Sequence, residues 1–272
     1  MNNQNDFFKK AHKSTLAAAY VPDTESQHQD TEALKCYSNI LFNNQEENRT
    51  HNSYEEELRE MSSIENGDIE TLKNCWEEIQ PEAYGIMAQE LLRSVKNLCI
   101  GLITLASRAA IRGGVHPEIA FSMCDSYVQQ VESSTRPEII GQLTHRAELR
   151  FTELVNQLKQ EREHIPPVSG QNMSPHIGAC KNYIFAHLHE KITVTDIAAY
   201  LELNPNYLSD LFRKNEGQTI LQYILREKIS LSRNMLTYSE YSYSEIATYL
   251  GFSSQTHLNE HFKRIPGRTP GE

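Results

Sequence analysis

The stretch Ile246–Arg264, IATYLGFSSQTHLNEHFKR, decides how this chain is read. Apolar residues at Ile246, Ala247, Leu250, Phe252, Leu258 and Phe262 predict two short helices sharing one core. A capping box, Ser242-Tyr243-Ser244-Glu245, fixes where the first of them starts. Gly251 can take the positive φ of a sharp corner, and the small Ala247 lets the helices approach closely. The second helix then turns a polar row, Gln255, Thr256, Asn259, Glu260 and Lys263, away from the core. That layout is a helix-turn-helix with an exposed recognition helix.

The pattern occurs twice. In Ile197–Lys214, IAAYLELNPNYLSDLFRK, Ile197, Ala198, Tyr200 and Leu201 stand 49 positions before Ile246, Ala247, Tyr249 and Leu250. Leu208 and Phe212 stand 50 before Leu258 and Phe262, so the first copy has a turn shorter by one residue. Asn204 as N-cap with Pro205 at the first helical position starts its recognition helix. Between the copies, Ile220–Leu236 (ILQYILREKISLSRNML) carries Ile220, Ile224, Leu225, Ile229, Ser232, Met235 and Leu236 at helical spacing. A helix of that length spans about 25 Å and can hold the two motifs at a fixed separation.

Over Ser174–Glu272 these residues resemble the DNA-binding domain of AraC/XylS-type transcription regulators. The matching signature is IA-x-x-L-G-F-S-S at Ile246–Ser254, L-x-x-x-F-K-R at Leu258–Arg264 and G-R-T-P at Gly267–Pro270. The resemblance implies a sequence-specific regulator of transcription, an activator rather than a repressor, with double-stranded DNA and RNA polymerase as partners. It delivers no effector, because the amino-terminal part lacks the alternating strands of the sugar-binding barrel found in many relatives.

Base reading is the chemistry to be explained. The major groove shows a distinct donor and acceptor pattern for each base pair, and short polar side chains with amide or carboxylate ends match it. The base-contact candidates are Asn206, Ser209, Asp210 and Arg213 in the first copy and Gln255, Thr256, Asn259 and Glu260 in the second. Lys214, Lys263, Arg264 and Arg268 are the phosphate-contact candidates, which position without specifying. The family commonly has an arginine where Asp210 and Glu260 stand. A carboxylate there accepts from cytosine N4 or orients a neighbouring lysine or arginine.

Charge separates the halves. Net charge is -10, but of the 26 basic and 36 acidic residues ten of each lie in Gln171–Glu272, so Met1–Gly170 carries the whole acidic excess. Five cysteines, Cys36, Cys75, Cys99, Cys124 and Cys180, are odd in number, dispersed and free of any C-x-x-C spacing. Four lie in apolar helical contexts and read as small core residues in a reducing compartment. The amino terminus has no basic-then-apolar signal segment. The longest apolar run, Leu98–Ile111, is interrupted by Arg108 and falls short of the ~20 residues that cross a bilayer. A soluble cytoplasmic protein with no membrane association is expected.

The architecture expected is mainly all-α. Residues 1–52 form a polar leader, for which a mobile chain and a small amount of β structure both stay open. Residues 53–164 form a helical regulatory and dimerisation domain, 165–175 a proline-rich linker, and 176–272 the DNA-binding domain with two helix-turn-helix motifs joined by a helix. Within the first domain, Tyr54, Leu58 and Met61 share one helical face, and Asp68 caps a short helix carrying Ile69, Leu72 and Trp76. Pro81–Arg112 reads as a long buried helix, apolar all round through Leu91, Leu92, Val95, Leu98, Ile100, Leu102, Ile103 and Leu105. His116-Pro117 opens a helix with Phe121, Cys124, Tyr127, Val128 and Val131 facing inward. Pro137–His164 carries a seam of Ile140, Leu143, Ala147, Phe151, Leu154 and Leu158, expected to pair with its symmetry mate in a homodimer.

No nucleophile, paired acid and base, phosphate loop or metal spacing marks an enzyme. His257 and His261 are one turn apart like two ligands, but no third accompanies them, and neither a metal nor a cofactor is expected. Arg108 and Arg112 could bind an anionic effector or pair with carboxylates of the acidic half. The effector, small molecule or protein, stays open. The competing reading is a protein-interaction module whose DNA-binding half is vestigial, hinted at by Asp210 and Glu260.

Overall fold

The computed structural model describes residues 24–47, 53–78, 85–162 and 174–264. Among them every regular element is an α-helix. The chain divides into two compact units, Met1–Asn156 and Gln157–Glu272. The expected linker 165–175 lies outside the described residues up to Ser174, after which Pro175 begins a helix.

In the first unit α1 (Thr24–Glu46), α2 (Tyr54–Asn66), α3 (Ile69–Glu78), α4 (Leu91–Arg112), α5 (Pro117–Ser133) and most of α6 (Pro137–Arg162) follow in order. Helix α1 corrects part of the reading of residues 1–52: Thr24–Glu46 is neither mobile chain nor β structure but 23 residues of helix without Gly or Pro, and residues 1–23 and 48–52 lie outside the described residues. Its apolar residues Leu34, Tyr37, Ile40, Leu41 and Phe42 are exposed. The Ser53–Glu56 capping box starts α2, and Gly67 in the left-handed region ends it. The buried face of α2 is Glu60, Met61, Ser63 and Ile64, so Tyr54 and Leu58 stay exposed rather than sharing a core face with Met61. Asp68 Oδ1 accepts from Thr71 N at 3.0 Å and caps α3 as expected.

Helix α4 differs most from its sequence reading. It begins at Leu91, not Pro81; residues 81–84 lie outside the described residues, and 85–90 are not helical. The stretch before it folds back on its first turns, with Met87 N donating to Ser94 Oγ at 2.8 Å. Nor is the helix buried all round. Its buried stripe is Ser94, Cys99, Ile103, Ala106, Ser107, Ala109 and Ala110, while Leu91 and Leu105 face out. Small residues let neighbouring backbones come close. A Cβ added to Gly113, just after α4, would sit 2.7 Å from Glu65 O and 2.8 Å from Val155 Cγ1. By length and composition alone α4 could cross a membrane, but a core helix passes the same test.

His116 caps α5 with Pro117 in its first turn. Cys124 and Val131 are buried, whereas Phe121 is at the surface, covered by the Arg108 guanidinium 4.5 Å from its ring centre. Arg112 pairs with Glu65 at 2.7 Å, so it takes the carboxylate. Along α6, Ile140, Leu143, Ala147, Phe151 and Val155 are buried within the unit; Leu154 and Leu158 are only half-buried. The first half of the proposed dimer seam is therefore intramolecular core. Cys75, Cys99, Cys124 and Cys180 are buried free thiols and Cys36 is exposed.

The second unit contains α7 (Pro175–Ala186), α8 (Val194–Tyr200), α9 (Pro205–Glu216), α10 (Ile220–Tyr238), α11 (Tyr243–Tyr249) and α12 (Gln255–Arg264). It has two small cores. One gathers Ile177, Cys180, Ile184, Leu188, Ile197, Leu208, Phe212, Tyr223 and Ile224. The other gathers Ile229, Ile246, Ala247, Leu250 and Leu258. Helix α10 passes between them, giving Tyr223 and Ile224 to the first and Ile229 to the second, with Leu231 touching both. Burying apolar surface on both sides is what makes a 19-residue helix a fixed spacer.

Candidate nucleic-acid interface

Helices α8 and α9 form one helix-turn-helix and α11 and α12 the other. Capping boxes fix the starts of the leading helices: Thr193 with Asp196 before α8, Ser242 with Glu245 before α11. In the second box Ser242 N donates to Glu245 Oε2 at 2.7 Å and Glu245 N to Ser242 Oγ at 3.3 Å. These bonds hold the Asp196 and Glu245 carboxyls below their ordinary pKa, the side-chain hydroxyl contact contributing most and the cap backbone N–H next.

Both corners are closed by the same backbone bonds. After α8, Leu203 N donates to Ala198 O at 2.9 Å and Glu202 N to Ala199 O at 3.2 Å; after α11, Phe252 N donates to Ala247 O at 2.9 Å and Gly251 N to Thr248 O at 3.1 Å. The residue at the bend has positive φ each time, 55° for Glu202 and 71° for Gly251. Leu203 and Phe252 then return to the two cores.

The recognition helices start on side-chain caps. Asn204 Oδ1 accepts from Asn206 N at 2.9 Å and Tyr207 N at 3.3 Å, with Pro205 at the first position of α9. Ser254 Oγ accepts from His257 N at 3.1 Å and does the same for α12. Leu208, Phe212 and Leu258 are buried, which fixes the rotation of each helix and therefore which residues face out.

The base-contact candidates fall on those outer faces. Asn206, Asp210 and Arg213 are exposed on α9, and Gln255, Thr256 and Glu260 on α12. Ser209 and Asn259 are half-buried. Ser209 Oγ already donates to Pro205 O at 2.8 Å, so it offers an outside partner only its acceptor lone pairs. Lys214 is exposed in the last turn of α9. Among the described residues, Asp210, Arg213, Lys214 and Glu260 enter no ion pair. The side chains of Lys263 and Arg264, and all of Arg268, lie outside the described residues.

The sequence reading missed Tyr207. It is 53% exposed beside Asn206 and Asp210, and offers a hydroxyl and a stacking face. Its signal was available, since Leu208 and Phe212 fix the inward face and leave the residue before Leu208 outside. His257 is likewise exposed, held by Ser253 Oγ at 3.2 Å from Nδ1 and edge-on to Phe252. Among the described residues no three metal-ligating side chains come together.

A helix-turn-helix domain family matches residues 197–272, a span that takes in both motifs. The chain is similar to the probable transcriptional regulator LumQ of Photobacterium leiognathi, 33% identical over 89 residues covering 33% of this chain and 36% of LumQ. It is also similar to the regulatory protein PocR of Salmonella typhimurium, 32% identical over 100 residues covering 36% of this chain and 33% of PocR. Among solved structures, the DNA-binding domain of AdpA in complex with a target DNA is 28% identical, with 36% of this chain and 88% of that one covered at a TM-score of 0.34. The chain thus spans about a third of the length of the curated relatives it matches. Doubled motif, connecting helix and capped recognition helices agree with the sequence match: the carboxy-terminal part of this chain is a helix-turn-helix domain of the AraC type.

Proposed function

We propose that this protein is a transcription regulator that binds double-stranded DNA sequence-specifically through both helix-turn-helix motifs. The observation that carries the proposal is the repeat itself: two recognition helices, each capped and rotated by its own core, in one polypeptide and tied by α10. One protomer would then read two adjacent major-groove segments about one turn apart, roughly 10 base pairs centre to centre. The helical amino-terminal unit would be the part through which activity is controlled. Activation of transcription, contact with RNA polymerase, a homodimeric assembly, an effector for the amino-terminal unit and a cytoplasmic location complete the proposed role.

Exposed Asp210 and Glu260 on both recognition helices favour a second reading, in which the helical unit binds a protein and the carboxy-terminal motifs no longer hold DNA. Selection of duplexes from a random pool by the full chain, followed by footprinting, separates the two. Enriched duplexes protected over two groove segments per protomer support the regulator. No enrichment at low salt, where phosphate contacts are strongest, leaves the second reading.

A further inference from the structure

A single lysine lies where the two helix-turn-helix modules meet. Lys228 is on α10 between Ile224, which belongs to the first core, and Ile229, which belongs to the second. It is 8% exposed. Its Nζ donates to Glu190 O at 2.8 Å and to Leu250 O at 2.6 Å. Glu190 lies in the segment between α7 and α8, part of the first module; Leu250 caps the end of α11, next to the Gly251 corner of the second. A buried ammonium needs such acceptors, and the Leu250 carbonyl, at the carboxyl end of α11, carries the matching partial charge.

Two further contacts occur at the same seam. The rings of His189 and Tyr249 stack with centroids 6.0 Å apart. A Cβ added to Gly251 would lie 3.6 Å from Glu190 O and 3.4 Å from Lys228 Nζ, in ordinary contact with both. The 189–190 segment therefore rests against the 249–251 corner, and Lys228 bonds to both sides of that contact. Elsewhere the modules are joined mainly by the length of α10, which sets their separation but leaves their mutual rotation open to bending of one helix.

We infer that Lys228 is a positioning residue that sets the rotation of one recognition helix relative to the other, and so the spacing of half-segments that the protein accepts on DNA. The inference rests on the DNA-binding reading above. Each base pair inserted between two half-segments moves the second about 3.4 Å along the duplex and turns it by about a tenth of a turn. A rigid pair of modules rejects such a change and a hinged pair tolerates it.

The test uses the full chain and a duplex that the wild-type protein itself selects, remade with one or two base pairs inserted or deleted between the half-segments. Wild type should lose about tenfold or more in affinity for a one-pair change, the size of losing one base pair's contacts. K228M should bind the selected spacing more weakly and discriminate among spacings by no more than about threefold. Ile229→Ala, which loosens the second core without touching the tie, should keep the wild-type spacing profile at lower stability. A K228M profile parallel to wild type overturns the inference; K228Q, with its polar side chain kept, serves if K228M does not fold.

A DNA-independent arm keeps the two readings apart. Spin labels carried on unnatural amino acids at Asp210 and Glu260 should give a narrow distance distribution in wild type and a broad one in K228M. An unchanged narrow distribution also overturns the inference. A broadened distribution without any selected duplex upholds the tie and removes the DNA reading instead.

Discussion

Glu202 and Gly251 occupy the same bend in the two helix-turn-helix motifs, and both have positive φ, 55° and 71°. Only one is a glycine. A side chain with a Cβ in the left-handed region costs about 1–2 kcal/mol, and Glu202 is exposed at the bend. Glu202→Gly should therefore stabilise the carboxy-terminal unit by about 0.5–1 kcal/mol, the glycine's own unfolded-state entropy taking back part of the gain. Gly251→Ala should destabilise it by about 1 kcal/mol or more; an added Cβ would meet Lys228 Nζ and Glu190 O only at ordinary contact distance, so backbone strain is the cause. Urea titrations followed by circular dichroism would show both, and a destabilised Glu202→Gly would contradict the strain.

The carboxy-terminal unit was legible because its signals are local and doubled. Gly251, the Ser242–Glu245 box, Asn204-Pro205 and the spacing of Leu208 and Phe212 each fix a boundary or a face, and they agree with one another. Lys228 was overlooked although it stands four residues after Ile224 and four before Ser232, on the buried face of α10, where a charge calls for partners. In the amino-terminal unit hydrophobicity misled. The helix rich in leucine was expected to bury its leucines, but α4 buries Ala106, Ala109, Ala110 and Cys99, because close helix packing selects size as well as polarity. Glu60 and Glu148 were invisible because their burial depends on helices far apart in sequence.

Glu60 on α2 and Glu148 on α6 make the amino-terminal unit sensitive to pH. Glu148 is 1% exposed; its Oε2 accepts from Trp76 Nε1 at 2.8 Å, and its Oε1 has no hydrogen-bond partner among the described residues. Burial, then the charge of Glu57, pushes the Glu60 carboxyl up to about 7 against a weaker opposing bond from Trp76. Burial, then the charge of Glu60, holds the Glu148 carboxyl well above its ordinary range. Raised carboxyl pKa values mean the folded unit binds more protons than the unfolded chain. Their favourable contribution is fully present below the unfolded carboxyl value near 4.5 and is lost as pH rises through about 7. The unit should melt lower at pH 8 than at pH 5.5, and Glu148→Gln, which removes one of the two charges, should shrink that difference. A melting temperature flat across the range, or a Glu148→Gln variant with the wild-type slope, would place the protons elsewhere.

Assembly through α6 now has a narrower basis. With Ile140, Leu143 and Ala147 in the unit's own core, only Leu154 and Leu158 remain half-buried for a second copy to cover. The double replacement of Leu154 and Leu158 with lysine should convert a dimer to monomers in light scattering while leaving the helix content unchanged, since neither residue is fully buried. A variant that stays dimeric would move the interface off this helix.

The recognition helices supply the sharpest division of roles. Asn206 is exposed and Asn259 half-buried on the outer faces of α9 and α12, and an amide pairs bidentately with adenine. Asn206→Ala and Asn259→Ala should each weaken binding to the selected duplex by about 1–3 kcal/mol and leave unrelated duplex nearly unaffected. Lys214→Ala should weaken all duplexes alike and lower the salt slope by about one. Ser209→Ala should cost less than either asparagine change, because its hydroxyl proton is already given to Pro205 O. Asp210 separates two effects with opposite signs. A carboxylate facing the groove repels phosphate on every sequence but accepts from cytosine N4 on the right one. Asp210→Asn should therefore tighten binding to random duplex while reducing discrimination at one base pair of the selected site. If it tightens both equally, Asp210 is a repulsive surface charge and reads nothing; if it weakens both, the carboxylate is holding a neighbouring cation in place, and Arg213, one turn further along α9, is the residue to replace next.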